Sequence, residues 1–254
     1  MSRERLDKLV IARGWAKSRP RAERLITEFG IRVDGEVIRK PGKRVPLDAQ
    51  LEPLGEDMPW VSRGAFKLLA AFERWPATLP VDAVVLDVGS STGGFTQVAL
   101  ASGARGVCAV DTGRDQLDPE LRPDPRIALH EQTNVLDLAP AALLDPFGSL
   151  ADLAVVDASF VSLTHLLPAL PPLLKPGASA ILLVKPQFEV GPTGLGRNGI
   201  VRNTKLRDQA VRRVELAALQ LGASIEGRFV SPVTGGDGNV EYLMWLRFSS
   251  SESL

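Results

Sequence analysis

Cysteine is almost absent from this 254-residue chain and histidine is scarce; Cys108, His130 and His165 are the full supply. A lone thiol excludes an internal disulfide and a thiolate metal cluster, and two histidines leave a transition-metal centre or a nucleophile–histidine triad poorly provided for. No metal is expected. Long apolar runs are missing as well. None approaches the roughly 18 residues that a membrane helix needs, and the opening MSRERLDKLV is charged where a secretory leader would be apolar. The expectation is a cytoplasmic protein with no membrane partner and no obligatory protein partner. Internal repeats and low-complexity tracts are lacking too. What the chain has is 44% hydrophobic content, enough for one large α/β domain or for a small domain beside a medium one.

Net charge is zero, but it is unevenly spread. Residues 1–50 carry 13 Lys and Arg against 7 Asp and Glu, a surplus of six, while the remaining 204 carry 17 against 23, a deficit of six. A basic arm on an acidic body points to a polyanion at one end. Within that arm, Leu6, Leu9, Val10 and Arg13 have helical spacing up to Gly14. Ser18 and Pro20 open a second helix whose apolar stripe is Ala22, Leu25, Ile26 and Phe29. IRVDGEVI reads as a hairpin turning at Asp34-Gly35, and KPGKRV as a basic turn before LEPL. No aromatic platform interleaves these charges, so shape and phosphate rather than base stacking would be recognised. The order of helix, SRPRAERLI, IRVDG and KPG over residues 3–54 resembles the S4 RNA-binding domain. The resemblance implies that Arg5, Lys8, Lys17, Arg19, Arg21, Arg24, Lys40, Lys43 and Arg44, with Arg63 just beyond, meet RNA phosphates.

Residues 55–61, GEDMPWV, lack periodicity and read as a linker between an arm at 1–54 and a body at 62–254. From Ser62 onward, apolar strands alternate with helices. Strands are expected at 83–89, 106–111, near RIALH, and at 153–159, 178–185, 225–230 and 241–248; helices are expected from Ser62, from Gly94 to Ser102, around 162–174 and at 205–221. This is the signature of a mostly parallel sheet covered on both faces. LDVGSSTGGFT (86–96) ends the first strand with an acid and enters a helix through glycines. Gly89, Gly93 and Gly94 give G-x-x-x-G-G rather than the dinucleotide G-x-G-x-x-G, and Asp87 would repel a pyrophosphate while suiting a cationic or zwitterionic ligand. Asp111, ending the second strand, can accept hydrogen bonds from ribose hydroxyls. Together these favour S-adenosylmethionine over NAD.

The run ASAILLVKPQFE places Lys185 at the carboxyl end of a buried strand, and VVDAS does the same with Asp157. An ionised group there needs a partner to offset its desolvation, and each can serve the other. Glu241 opens the last strand behind TGGDGN, and Lys67 lies on the helix ahead of the first, so two lysines and two acids can meet in one cleft. A purely structural ion-pair network would use the same residues.

WVSRGAFKLL, DVGSSTGGFT, AVDTGRDQL, QTNVLDL, VVDASFVSL, LVKPQFEVG, NGIVRN and SPVTGGDGNVEYL occur in the order that marks the TlyA-type rRNA 2′-O-ribose methyltransferases, also called the haemolysin A family. The body is similar to the FtsJ/RrmJ class. Trp60 and Ala65-Phe66 depart from the usual pattern without touching the charged set. The resemblance implies a Rossmann-like class I methyltransferase with a seven-stranded sheet behind a small S4-like α+β domain, acting on a cytidine ribose of 23S and in some members 16S rRNA, with ribosomal RNA or subunits as partners. It places the catalytic set on Lys67, Asp157, Lys185 and Glu241. It places S-adenosylmethionine against Asp87, Gly89, Ser90, Ser91, Thr92, Gly93, Gly94, Phe95, Asp111, Asn134 and Asp157. Lys185 can accept the ribose proton only when neutral, which burial and Lys67 favour and the two acids oppose; Asp157 would orient it, and Lys67 and Glu241 would orient the hydroxyl. The glycine-rich segment 188–203 is compatible with a lid or with a plain surface loop. Two rivals are a pore former, which the lack of alternating lipid-facing strands disfavours, and an RNA-binding module without catalysis, which the charged tetrad disfavours.

Overall fold

In the computed structural model, which describes residues 2–191 and 194–249, the chain divides into two units, Met1–Arg63 and Gly64–Leu254. The first begins with strand β1 (Arg3–Arg5) and helix α1 (Leu6–Ala12), followed by α2 (Arg19–Glu28), β2 (Ile31–Val33), β3 (Glu36–Ile38), β4 (Arg44–Pro46) and β5 (Leu51–Pro53). Asp34 and Gly35 both take positive φ, 48° and 90°, the turn whose twist suits a two-residue hairpin, so β3 folds back on β2 and β5 flanks it on the other side. The apolar stripes converge: Leu6, Val10, Ala22, Leu25, Ile26 and Ile31 are buried together.

Local details differ from the expectation. The leading arginines form β1, paired antiparallel with β4, so KPGKRV is a turn that runs into a strand. Ser18 occupies the N-cap of α2 without a side-chain cap bond. Residues 55–61, read as a linker, fall inside the first unit: Asp57 pairs with Arg21 at 3.0 Å, and a side chain at Gly55 would strike the Phe29 ring at 2.3 Å.

The second unit runs α3 (Ala65–Arg74), β6 (Val84–Val88), α4 (Gly94–Ala101), β7 (Gly106–Val110), β8 (Ile127–His130), α5 (Ala141–Phe147), β9 (Ala151–Val156), α6 (Leu163–Leu166), β10 (Leu174–Val184), α7 (Pro186–Glu189), α8 (Thr204–Gln220), β11 (Ala223–Val230) and β12 (Tyr242–Phe248). One seven-stranded sheet results, in the order β11-β12-β10-β9-β6-β7-β8, and β12 runs antiparallel to both its neighbours. Val84, Leu86, Val88, Ala154, Val156, Leu182 and Val184 pack with Leu143, Leu163, Leu170, Val211 and Val214. Their alternates Val85, Val107, Leu153, Val155, Ile181 and Leu183 are equally buried, as expected of strands covered on both faces. Each fully buried Val, Leu or Ile stabilises the fold by about 1.5–3 kcal/mol relative to exposure.

The helix expected around 162–174 does not form. After the single turn of α6 come two 3-10 turns, Leu167–Ala169 and Pro171–Leu173, because Pro168, Pro171 and Pro172 remove backbone donors and clash with the preceding turn. β10 starts earlier than expected, at Leu174, with a register shift before Ser179. No described helix is long and apolar enough to cross a membrane. The sheet is open, ending on β11 and β8, so its strands do not close into a barrel.

The chain leaves β6 outward to β7 and β8, then returns to β9 on the other flank of β6. That reversal opens a crevice at the carboxyl ends of β6 and β9, where ligands of open α/β sheets sit.

Candidate active site

A cavity of about 450 Å³ occupies this crevice, lined by Gly89, Ser91, Asp111 and Gln116 among others, with Asp157 and Ser159 across from them. Its volume falls within the roughly 300–1,000 Å³ typical of cofactor sites. Gly89 has φ 81°, and a Cβ there would lie 2.8 Å from the Asp157 carbonyl oxygen, so only glycine lets the two loops approach. The Asp111 carboxylate is held by backbone donors: Ser91 N–H gives to Oδ2 at 2.8 Å and Gly113 N–H to Oδ1 at 2.6 Å. Carboxylate oxygens retain acceptor capacity beyond these two bonds. Asn134 also lines the cavity, its Oδ1 accepting from Leu136 N–H at 3.1 Å.

Several residues expected against the cofactor do not reach the cavity wall. Ser90, Thr92, Gly93, Gly94 and Phe95 are not among its lining residues; Gly93 takes φ 92° at the entry to α4, and Phe95 is buried in that helix's first turn. Asp87 is also set behind the wall, fully buried, with Thr96 Oγ1 donating to its Oδ2 at 2.6 Å. Burial, reinforced by the charges of Asp157 and Asp111, pushes the Asp87 carboxyl up to about 7. It lies outside the residues that line this cavity.

The reading of sequence missed Glu131. Its carboxylate accepts N–H bonds from Asp115, Gln116 and Leu117 at 2.7–3.0 Å and pairs with Arg122 at 2.8 Å. Those backbone bonds, that of Leu117 foremost, hold it below the usual carboxylate range. The loop carrying Gly113 and Gln116 to the cavity is thereby organised by an acid some fifteen positions away, a pairing no local pattern announces.

The four charged residues form two ion pairs. Lys185 Nζ lies 2.7 Å from Asp157 Oδ1 and donates to Ser159 Oγ at 2.7 Å, with the Phe188 ring 5.8 Å away. Lys67 Nζ donates to Glu241 Oε2 at 2.6 Å. Both lysines and Glu241 are buried. Val184 pairs with Tyr242 as the last rung of the ladder, so Lys185, which follows Val184, and Glu241, which precedes Tyr242, flank that same end of the sheet. A side chain at Gly235 would come within 2.6 Å of Glu241 Oε1, which accounts for a glycine in TGGDGN. Phe160, 92% exposed with φ 64°, stands at the cavity rim. Cys108 is buried in β7, and that burial pushes its thiol up to about 12; it is core.

Of the segment 188–203, Pro192 and Thr193 lie outside the described residues. The part near Glu241 is fastened: buried Asn239 accepts from Val201 N–H at 3.0 Å and donates to the Gly199 carbonyl at 3.1 Å.

In the first unit, most of the expected phosphate ligands already hold carboxylates. Arg5 donates to Asp7 at 2.6 Å, and Arg19 reaches both Asp7 and Glu23. Lys8 pairs with Glu4, Arg21 with Asp57, Lys43 with Glu36 and Arg63 with Glu28. Lys17, Lys40 and Arg44 are exposed and Arg24 is half-buried. The Arg5 guanidinium holds the buried Asp7 carboxyl below the usual carboxylate range.

The chain matches the FtsJ-like methyltransferase family over residues 60–248 and the S4 domain over residues 4–51. It is 42% identical over 253 residues to the 16S/23S rRNA (cytidine-2′-O)-methyltransferase TlyA of Mycobacterium tuberculosis, spanning 99% of this chain and 92% of that protein. It is 39% identical over 246 residues to YqxC of Bacillus subtilis, provisionally named an rRNA methyltransferase, spanning 97% and 86%. A solved structure from Streptococcus thermophilus, provisionally labelled a hemolysin, superposes with a TM-score of 0.75 at 38% identity, covering 99% of this chain and 90% of that one.

Proposed function

We propose, since this chain belongs to the FtsJ-like methyltransferase family and carries an S4 domain ahead of it, that it methylates the 2′-hydroxyl of a cytidine ribose in 23S and 16S rRNA. The observation that carries this reading is the double role of Asp157, which lines the cavity and pairs with Lys185 at 2.7 Å, so ligand pocket and proton acceptor share one residue. The cavity suits S-adenosylmethionine: an acid for the ribose in Asp111, glycine at position 89 where a side chain cannot fit, and apolar Val110, Val135 and Leu136 for the adenine. When bound, S-adenosylmethionine supplies a sulfonium methyl that a ribose oxygen can attack, the carbon–sulfur electron pair returning to sulfur.

The chain's own task is to make that oxygen nucleophilic and to place it. Lys185 Nζ takes the hydroxyl proton. Asp157 orients the lysine, and the Lys67–Glu241 pair positions the hydroxyl beside it. Most of the acceleration comes from in-line placement at about 3 Å. The exposed Phe160 ring offers a stacking face for the target base or its neighbour. Residues 1–54 supply phosphate contacts and residues 62–254 the transfer, in the cytoplasm, on ribosomal subunits or their RNA. The exposed Lys17, Lys40 and Arg44 meet phosphate directly, whereas Arg5, Lys8, Arg19, Arg21, Lys43 and Arg63 exchange a carboxylate for it.

The test is ribose-methylation mapping by mass spectrometry of rRNA from ribosomal subunits incubated with the protein and S-adenosylmethionine. A new 2′-O-methylcytidine is expected; its absence on both subunits refutes the reading. Calorimetry should show S-adenosylmethionine binding that Asp111→Ala weakens by about 1–3 kcal/mol, and unchanged affinity would remove Asp111 from the site.

A further inference from the structure

We propose that Ser159 is a positioning residue for methyl transfer: its hydroxyl takes up an N–H bond of Lys185 beside the paired Asp157 carboxylate, fixing the direction in which the neutral nitrogen presents its lone pair to the ribose hydroxyl. The inference rests on Lys185 being the proton acceptor. A lysine nitrogen is tetrahedral, with three N–H bonds when charged and two plus a lone pair when neutral. Two oxygens lie 2.7 Å from Lys185 Nζ, but only Ser159 Oγ accepts a hydrogen bond from it; Asp157 Oδ1 is its ion-pair partner and lies off the hydrogen-bonding direction. With Ser159 engaged, rotation about the terminal bond is restricted to orientations that aim an N–H at the serine oxygen, and the lone pair is kept for another direction. Without that acceptor, an orientation that aims an N–H at the substrate oxygen is equally satisfied, and in it the proton cannot be received.

Ser159 is exposed on the cavity wall, yet its backbone is pinned on both sides. Ahead of it, Asp157 N–H donates to the Val88 carbonyl at 2.9 Å. Behind it, Phe160 takes left-handed φ 64°; then Ser162 Oγ and Leu163 N–H donate to the buried Glu189 carboxylate at 2.5 and 2.8 Å. Glu189 ends α7, the helix that starts directly after Lys185. The lysine, its acceptor Ser159 and its ion-pair partner Asp157 are therefore carried on two segments that one carboxylate ties together. A serine meant only to solvate the loop would not need that tie.

The experiment measures single-turnover methylation of isolated ribosomal subunits by the full-length wild type, Ser159→Ala, Ser159→Thr and Lys185→Ala, with dissociation constants for S-adenosylmethionine and RNA. Ser159→Ala should transfer roughly tenfold more slowly or worse, the worth of one hydrogen bond felt only in the transition state. Both dissociation constants should stay within about threefold of wild type, and Ser159→Thr, which keeps the hydroxyl, should recover most of the rate. A Ser159→Ala variant as fast as wild type, alanine and threonine variants equally slow, or a loss confined to affinity would each overturn the inference alone. A wild type that transfers no methyl group, or a Lys185→Ala variant that transfers normally, overturns the underlying reading and this inference with it.

Discussion

Asp87 is a carboxylic acid fully out of water, with a hydroxyl partner in Thr96 and no cation paired to it among the described residues. The unfolded value of an aspartate is about 3.9, whereas burial pushes the folded one up to about 7. Between those values the folded chain binds more protons than the unfolded one, so this group lowers stability as pH rises, and the full cost is present above pH 7. Asp87→Asn keeps an acceptor for Thr96 and cannot ionise. It should raise stability at pH 8 by on the order of 2–4 kcal/mol, with the gain fading toward pH 4, as read by denaturant unfolding across pH. Lys185 is tested by charge without basicity. Lys185→Arg keeps a cation but offers no neutral nitrogen, so single-turnover transfer should fall nearly as far as in Lys185→Ala, while S-adenosylmethionine affinity stays within a few fold. Substantial activity in the arginine variant would make the lysine an electrostatic group and move the base elsewhere.

Among the elements, the short helices α6 and α7 do more for the site than their four residues each suggest. Glu189, inside KPQFE, reaches across to the first turn of α6 through Ser162 and Leu163, fixing the loop that presents Asp157. Glu189→Ala strips the acceptor from a buried N–H and a hydroxyl inside the fold. It should cost about 1.5–3 kcal/mol, the range for hydrogen bonds to a charged group, and hydrogen exchange at the Leu163 amide should accelerate by more than global destabilisation explains. Unchanged exchange there would mean that the loop is held by something else. These helices were also the least legible elements. Local rules announced the Asp34-Gly35 hairpin, because its glycine and aspartate are demanded by the turn itself. They announced the β6 turn at Gly89 for the same reason. They gave a helix over 162–174 where three prolines forced a chain of tight turns, and they missed β1 and β4, whose pairing joins residues about forty apart.

For the whole molecule, charge asymmetry makes the clearest prediction. Removing residues 1–54 takes away the basic surplus and should leave S-adenosylmethionine affinity within a few fold. RNA affinity should fall, and the slope of log affinity against log salt should flatten by roughly 0.7–0.9 for each phosphate that the arm neutralises. Filter binding of rRNA at several salt concentrations checks this; equal slopes for the two proteins would take the arm off the RNA. The pairing of arginines in the first unit sharpens the expectation. Arg5 and Arg19 share the buried Asp7, so phosphate binding there competes with an internal carboxylate, and Lys17, Lys40 and Arg44 carry the contacts that need no exchange.

Residue order alone determined the class of fold, the glycine turn, the acid that ends β7, and the presence of Lys67, Asp157, Lys185 and Glu241 at element ends, because strand period, turn stereochemistry and the cost of burying a charge are all local in origin. The tertiary structure decided who pairs with whom. It resolved four charges into Lys185–Asp157 and Lys67–Glu241, set Asp87 and the first turn of α4 behind the cavity rather than on its wall, and enlisted Ser159, Glu131 and Glu189, none of which carries a motif of its own. Those outcomes depend on the register between β10 and β12 and on loops that meet only once the sheet has closed its order. Such contacts join residues far apart in the chain, and no periodicity reports them.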